Sequence, residues 1–225
     1  MTSCLPFARI PAMLQLASPL LPVGAYAYSQ GIERAVHDRT ILDADDAQRW
    51  IVDSLVGPIA YFEAPVFVRL HRAVCDVDRD RFAEWDERFL TSRETRELRE
   101  ETLQMGASLQ TLARGLSLPI QIHDVGSLTF PAAFAAFANA LGLDERESLA
   151  AYLWGWLENQ VTAALKAVPL GQLAGQRLLL EAHETLGVVI ATASKLDDDD
   201  LVSAAPGLAL ASALHEIQYS RLFRS

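Results

Sequence analysis

The chain has almost no cysteine. Only Cys4 and Cys75 occur in 225 residues, too few for a disulfide framework or a closed four-thiolate zinc site. That usage fits a reducing cytoplasm. Basic charge is also scarce: 19 Lys and Arg stand against 29 Asp and Glu, giving a net charge of −10. Nucleic-acid binding needs a cationic footprint that displaces phosphate counterions, so nucleic acid is not an expected partner. Common catalytic signatures are missing too. There is no G-x-x-x-x-G-K-[ST] to cradle phosphates, no G-x-S-x-G, no H-E-x-x-H and no C-x-x-C.

Strand signals are equally thin. No alternating run is flanked by hairpin turns, while Ala and Leu abound, so the fold class is all-α. No repeat, Gly/Ser linker or low-complexity stretch divides the chain. The expectation is one bundle over 1–225, of roughly eight to ten helices. The longest uncharged run, nineteen residues between Asp124 and Asp144, could span a bilayer by length. Its Ser127, Thr129, Pro131 and Asn139 fit a loop and a buried helix better, and no membrane is expected. Met13 to Ala27 is apolar and ends in a signal-like Ala-Tyr-Ala. Pro19 and Pro22 interrupt it and only Arg9 is basic upstream, so it is taken as part of the domain.

What is present is apolar periodicity. A short helix should end near Ser18, and another should lead into Val36 after the Gly24–Gly31 loop. Asp43 and Asp46 mark the start of a helix carrying Trp50, Ile51, Leu55 and Ile59 inward. Gly57-Pro58 and Pro65 should kink or break it. A charged helix follows over about 79–90, and Thr91-Ser92-Arg93-Glu94 reads as a capping box opening the next. There Met105, Leu109, Leu112 and Leu116 form the apolar face, and Arg93 to Glu101 a charged flank. Pro131 suits the first turn of a helix stopping at Gly142. The stretch Leu149 to Leu157 is apolar all round and belongs at the bundle centre. Pro169 interrupts a small-residue series, Ala163, Ala167, Gly171 and Gly175. A further helix covers 177–195, the acidic run Asp197 to Asp200 is a cap or solvated turn, and Pro206 precedes the last helix.

Candidate chemistry is sparse. His71 and Cys75, one turn apart, make at most half a metal site and fit a packed pair better. His123-Asp124, His183-Glu184 and His215-Glu216 set histidines beside carboxylates, where surface or capping roles are the commoner use. Tyr26 and Tyr28 lie in the glycine-bounded loop and offer rigid amphipathic area for a protein contact, or plug the end of the bundle. Lys166, Gln172 and Gln176 could line a polar channel or satisfy carbonyls freed around Pro169. The last residues, 216–225, carry Tyr219, Arg221, Leu222, Phe223 and Arg224 to the end of an acidic chain. Such a segment either docks to a partner or folds back on its own domain.

The residues from Ser18 through Glu33, S-P-L-L-P-V-G-A-Y-A-Y-S-Q-G-I-E, resemble the N-terminal signature of the urease accessory protein UreF family. Met105-Gly106, the block Lys166 to Gln172 with Gly175-Gln176-Arg177, and His215 through Phe223 agree in order. The resemblance implies an all-α, dimeric, non-catalytic adaptor. It would join UreD (UreH in some organisms) and the GTPase UreG, and act on urease apoprotein to deliver nickel. Nickel would be passed through the assembly and no cofactor held. Tyr26 and Arg221 match the positions that engage or organise the UreG surface. The 216–225 tail matches the segment that meets UreD and becomes ordered on binding. Lys166 and Gln172 match a gate for nickel transfer. On this reading Arg221→Ala leaves the monomer fold intact. Two departures stand out: prolines in a typically long helix, and Ala107 and Gln110 where a basic residue is frequent. Readings from other classes are a helical enzyme using Tyr28, His215 and Glu216, and an adaptor outside the urease pathway.

Overall fold

A computed structural model describes residues 9–122 and 126–225. The readings of Cys4 and of the His123-Asp124 pair fall outside them. Among the described residues the structure is helical, without strands. It comprises α1 (Arg9–Ala17), α2 (Ile32–His37), α3 (Ala44–Ser54), α4 (Ala64–Cys75), α5 (Arg79–Thr91), α6 (Arg96–Gly115), α7 (Phe130–Ala140), α8 (Glu145–Ala167), α9 (Gln172–Ala193) and α10 (Pro206–His215).

Local chemistry sets most of the helix starts. Asp43 caps α3 by accepting from the Asp46 amide, and Asp78 caps α5 from the Arg81 amide. Asp144 and Glu147 form a reciprocal capping box on α8. One expected cap is wrong. Thr91 ends α5, its hydroxyl donating back to the Glu87 and Arg88 carbonyls, and α6 is capped four residues later by Thr95, which accepts from the Leu98 amide. Both are threonines before a charged run, so the local pattern does not distinguish them. The start of α9 also lies earlier than expected, at Gln172 directly after the Pro169 break.

The Gly57-Pro58 kink takes a definite form. Pro58 has no amide to donate and crowds the carbonyl one turn back. The chain responds with a π-helical segment, Leu55–Glu63, in which Gly57 alone has non-helical backbone angles. The Tyr61 carbonyl is satisfied from outside, by the Val202 amide at 3.0 Å. Pro65 then falls in the first turn of α4, where a missing donor is tolerated. This widened register turns both Phe62 and Glu63 inward. The continuous run Ala44–Cys75 is long and apolar enough to cross a membrane, but 61% of its apolar window is buried in the bundle.

The core sits where α8 meets α4 and α7. Phe67, Phe130, Phe134 and Tyr152 form one aromatic cluster, with ring centroids 4.8 to 6.0 Å apart. Such pairs contribute roughly 0.5–1.5 kcal/mol beyond area burial. Helices α6 and α7 pack closely because Gly106 has no side chain: a Cβ there would lie 2.0 Å from the Leu128 carbonyl oxygen. The Met105-Gly106 pair is therefore a packing requirement.

Candidate functional site

The N-terminal loop and the C-terminal segment form one structure. Gly24 and Gly31 hold the loop with φ of 79° and 85°, a left-handed backbone that suits glycine. Gly31 also lies against Leu208 and Ala211 of α10, so the signature loop abuts the last helix. Residues 216–225 then run back along the loop. The Arg224 amide donates to the Ala27 carbonyl at 2.8 Å, and the Ser225 carbonyl accepts from the amide and hydroxyl of Ser29 at 2.8 and 2.6 Å.

The floor under this segment is acidic. Glu33 on α2 and Glu97 on α6 are buried, and all four of their carboxylate oxygens accept from residues 215–223. The amides of Leu222 and Phe223 donate to Glu33 at 2.7 and 3.0 Å. Arg221 Nη1 lies 2.5 Å from Glu97 Oε1. His215 is fully buried between them, Nδ1 2.7 Å from Glu97 and Nε2 3.1 Å from Glu33. Glu101 follows one turn after Glu97 and takes the Ser225 hydroxyl at 2.6 Å and Gln30 Nε2 at 2.7 Å. Gln104 Oε1, further along the same face, accepts from Tyr28 and, at 3.4 Å, from Arg224.

Several sequence expectations change here. His215 does not have a surface or capping role, and its sequence neighbour Glu216 is not its ring partner: Glu216 instead accepts from the Glu97 amide. The charged flank on α6 includes two buried carboxylates, Glu97 and Glu101. Arg221 is bound to one of them, so Arg221→Ala also touches the fold. Glu33, Glu97 and Glu101 were missed as site residues. The i, i+4 pairing of Glu97 with Glu101 was the one signal available, and it reads equally well as a solvated face.

Above the tail the loop presents a mixed surface. Lys166 Nζ lies 5.8 Å from the Tyr26 ring centroid and 5.6 Å from that of Phe223, within cation–π range. Tyr26, Tyr219, Leu222 and Arg224 are exposed beside them, and Tyr219 is fully open. Tyr28 and Phe223 are buried, so here they brace the surface from beneath. Burial also raises the Tyr28 phenol above its ordinary pKa. Gln172 and Gln176 are exposed on the first turns of α9.

A cavity of about 160 Å³ lies under the loop, between α1, α6 and α8. Its polar groups include Gln30, Glu63, Arg93, Glu101 and Asn159; Lys166, Gln172 and Gln176 do not line it. Glu63, turned inward by the π-helical segment, accepts from the Tyr152 hydroxyl at 2.7 Å and from Arg93 at 3.3 Å. Burial, with the Glu63 charge adding to it, pushes the Tyr152 phenol well above its usual range. Glu101 has only neutral donors, and burial raises it to about 7. Gln30 joins this network to the loop, accepting from Trp156 Nε1 at 2.8 Å and holding φ at 49°.

Among the described residues no group of three or more His, Cys, Asp or Glu side chains is arranged to hold a metal ion. His71 and Cys75 contact each other at 3.6 Å, and His71 Nε2 lies 3.3 Å from the Leu143 carbonyl. His183 on α9 packs its ring near Trp154 of α8. Neither Tyr28, His215 nor Glu216 lines the cavity, so the trio proposed for an enzyme is not assembled there.

The composite of loop, tail and α8 is built from the same blocks that carry the resemblance, and comparison with known proteins agrees. The UreF family profile matches residues 41–183. The chain is 49% identical to the urease accessory protein UreF of Azoarcus sp. (strain BH72), over 98% of this chain and 96% of that protein. The chain belongs to the UreF family. It is 46% identical to the protein of that name from Nitrosospira multiformis, covering 95% of this chain and 96% of the relative. The protein of that name from Dechloromonas aromatica is 44% identical over the whole of both chains. Members of the UreF family that align from end to end thus include the signature loop and the tail within the matched length.

Proposed function

We propose that this chain is a non-catalytic adaptor of urease maturation that docks its partners through the loop–tail surface. The observation that carries the reading is the meeting of Tyr26, Lys166 and the tail on one face, with aromatic rings and cations exposed on a chain of net charge −10. Exposed aromatic and arginine side chains around a braced centre are what protein hot spots are made of. On this reading UreD docks against Tyr219 and Leu222, and UreG towards Tyr26 and the arginines. Urease apoprotein is the recipient, and nickel is cargo handed through the assembly. A homodimer is part of the same reading, and Leu173, Leu180 and Val188 give α9 an exposed apolar stripe that a second copy could cover.

Co-expression with UreD and UreG tests this. Tyr26→Ala and Lys166→Ala alter exposed side chains. They should reduce UreG recovery by at least about tenfold, the effect of losing one hot-spot contact, while the chain still purifies with UreD. Full recovery of UreG with both variants would contradict the assignment.

A further inference from the structure

His71 and Cys75 lie one turn apart at the end of α4, away from the loop–tail surface. Three parts of the fold meet at the pair. Helix α4 supplies both side chains, the Leu143 carbonyl between α7 and α8 lies 3.3 Å from His71 Nε2, and Asn139 of α7 donates from Nδ2 to Cys75 Sγ at 3.2 Å. A carbonyl can only accept, so Nε2 carries the ring proton and Nδ1 keeps its lone pair towards the sulfur. Burial lowers the His71 pKa, which leaves the ring neutral at neutral pH. A hydrogen bond from the far nitrogen to a backbone carbonyl is how metal-binding imidazoles are held in orientation. We propose that His71 Nδ1 and Cys75 Sγ form a two-ligand chelate for an exchangeable zinc-class divalent ion.

The spacing favours this. Nδ1 and Sγ are 3.6 Å apart. A tetrahedral zinc with bonds of about 2.1 Å to nitrogen and about 2.3 Å to sulfur holds those two atoms about 3.6 Å apart. The ion can therefore enter with little movement of either side chain. The same gap suits a thiol donating to Nδ1, so coordination replaces that proton, which passes to solvent as the sulfur binds as thiolate. Burial raises the Cys75 pKa, and the ion supplies the pull that removes the proton. The Asn139 amide already points a donor at the sulfur and steadies its negative charge. The surroundings also favour a cation. Asp144 and Glu145 act on His71, and Asp76 and Glu145 on Cys75. Arg72 is paired with Glu145 at 2.7 Å. The C-terminal end of α4 adds partial negative charge. Cys75 is exposed, so an ion reaches the sulfur from solvent. With two protein ligands the remaining positions go to water, which makes the site open, unlike a closed four-ligand structural one. The chelate does not depend on which partner the loop–tail surface docks.

Cobalt(II) titration of the whole chain, with the thiols kept reduced by a phosphine, tests this. A thiolate-to-cobalt charge-transfer absorption should grow and saturate, and added zinc should displace it. Cys75→Ser, a change at an exposed position, should abolish the absorption and weaken zinc binding by at least about tenfold. Cys4→Ser should leave both intact. Nitrogen NMR of the wild type with zinc gives a readout that needs no substitution: the His71 Nδ1 signal should shift while Nε2 keeps its proton. A titration without charge-transfer absorption overturns the proposal. So does absorption that persists in Cys75→Ser or is lost in Cys4→Ser, or zinc binding that leaves the Nδ1 signal unmoved.

Discussion

The Ser225 carbonyl oxygen accepts both the amide and the hydroxyl of Ser29, at 2.8 and 2.6 Å. These residues are 196 positions apart in the chain, so the first recognisable block and the last are halves of one structure. The Ser29 hydroxyl oxygen also accepts from the Glu33 amide at 3.4 Å, tying the tail to the helix that carries one of its two anchoring carboxylates. Removing that hydroxyl should loosen the tail without unfolding the bundle. Ser29→Ala is expected to cost about 1 kcal/mol, the usual net worth of such a bond, read as a lower urea midpoint. Hydrogen exchange in this variant should rise in residues 222–225 and not in α8.

Gly106→Ala should be far more damaging. The added methyl carbon would sit 2.0 Å from the Leu128 carbonyl oxygen, which is backbone and cannot swing aside. Helices α6 and α7 must then separate. We expect a loss of about 3 kcal/mol by denaturant unfolding, in the range for overpacked cores.

The pH dependence of stability should carry the signature of Glu101. Its carboxyl is raised from 4.5 to about 7 on folding. The folded state therefore holds more protons than the unfolded state across that window, and stability falls as pH rises through it. The whole effect is on the order of 3 kcal/mol for a group so deeply buried. Glu101→Gln keeps the shape and removes the titration. Its urea midpoint should change little between about pH 5 and about pH 8, while the wild-type midpoint drops.

Arg93→Met addresses the cavity floor. It strips Glu63 of its cation and leaves a buried carboxylate with only the Tyr152 hydroxyl. Breaking one side of a buried pair costs roughly 3–5 kcal/mol, and the double change Arg93→Met with Glu63→Gln should recover much of it. Thermal unfolding of the two variants reads the difference.

Much of this fold was legible from residue patterns because its signals are local. Asp43, Pro131 and Gly142 act on their own helix ends, and each helix they delimit is present as expected. The Thr91 cap failed because two threonines four apart compete for the same role, and tertiary packing chose Thr95, whose hydroxyl also meets Ser212 of α10 at 2.8 Å. The site was less legible. Tyr26, Lys166 and Phe223 were picked out separately, but nothing local places the two rings within 6 Å of the Lys166 ammonium. The buried carboxylates were hidden for a plainer reason: a Glu on a charged helix turn looks solvated until a distant segment covers it. Glu33, Glu97 and Glu101 are all covered by residues from the tail.

The same fact makes truncation a poor probe of the tail. Deleting residues 219–225 would unpair Glu33 and Glu97 and confuse folding with docking. Substitutions at exposed side chains avoid this. The most direct measurement is recovery of the Tyr219→Ala, Leu222→Ala double variant with UreD, beside its unfolding midpoint. Both side chains face solvent, so stability should stay within about 0.5 kcal/mol of wild type. Recovery should fall by about tenfold or more if this surface docks the partner. Undiminished recovery at unchanged stability would contradict the account.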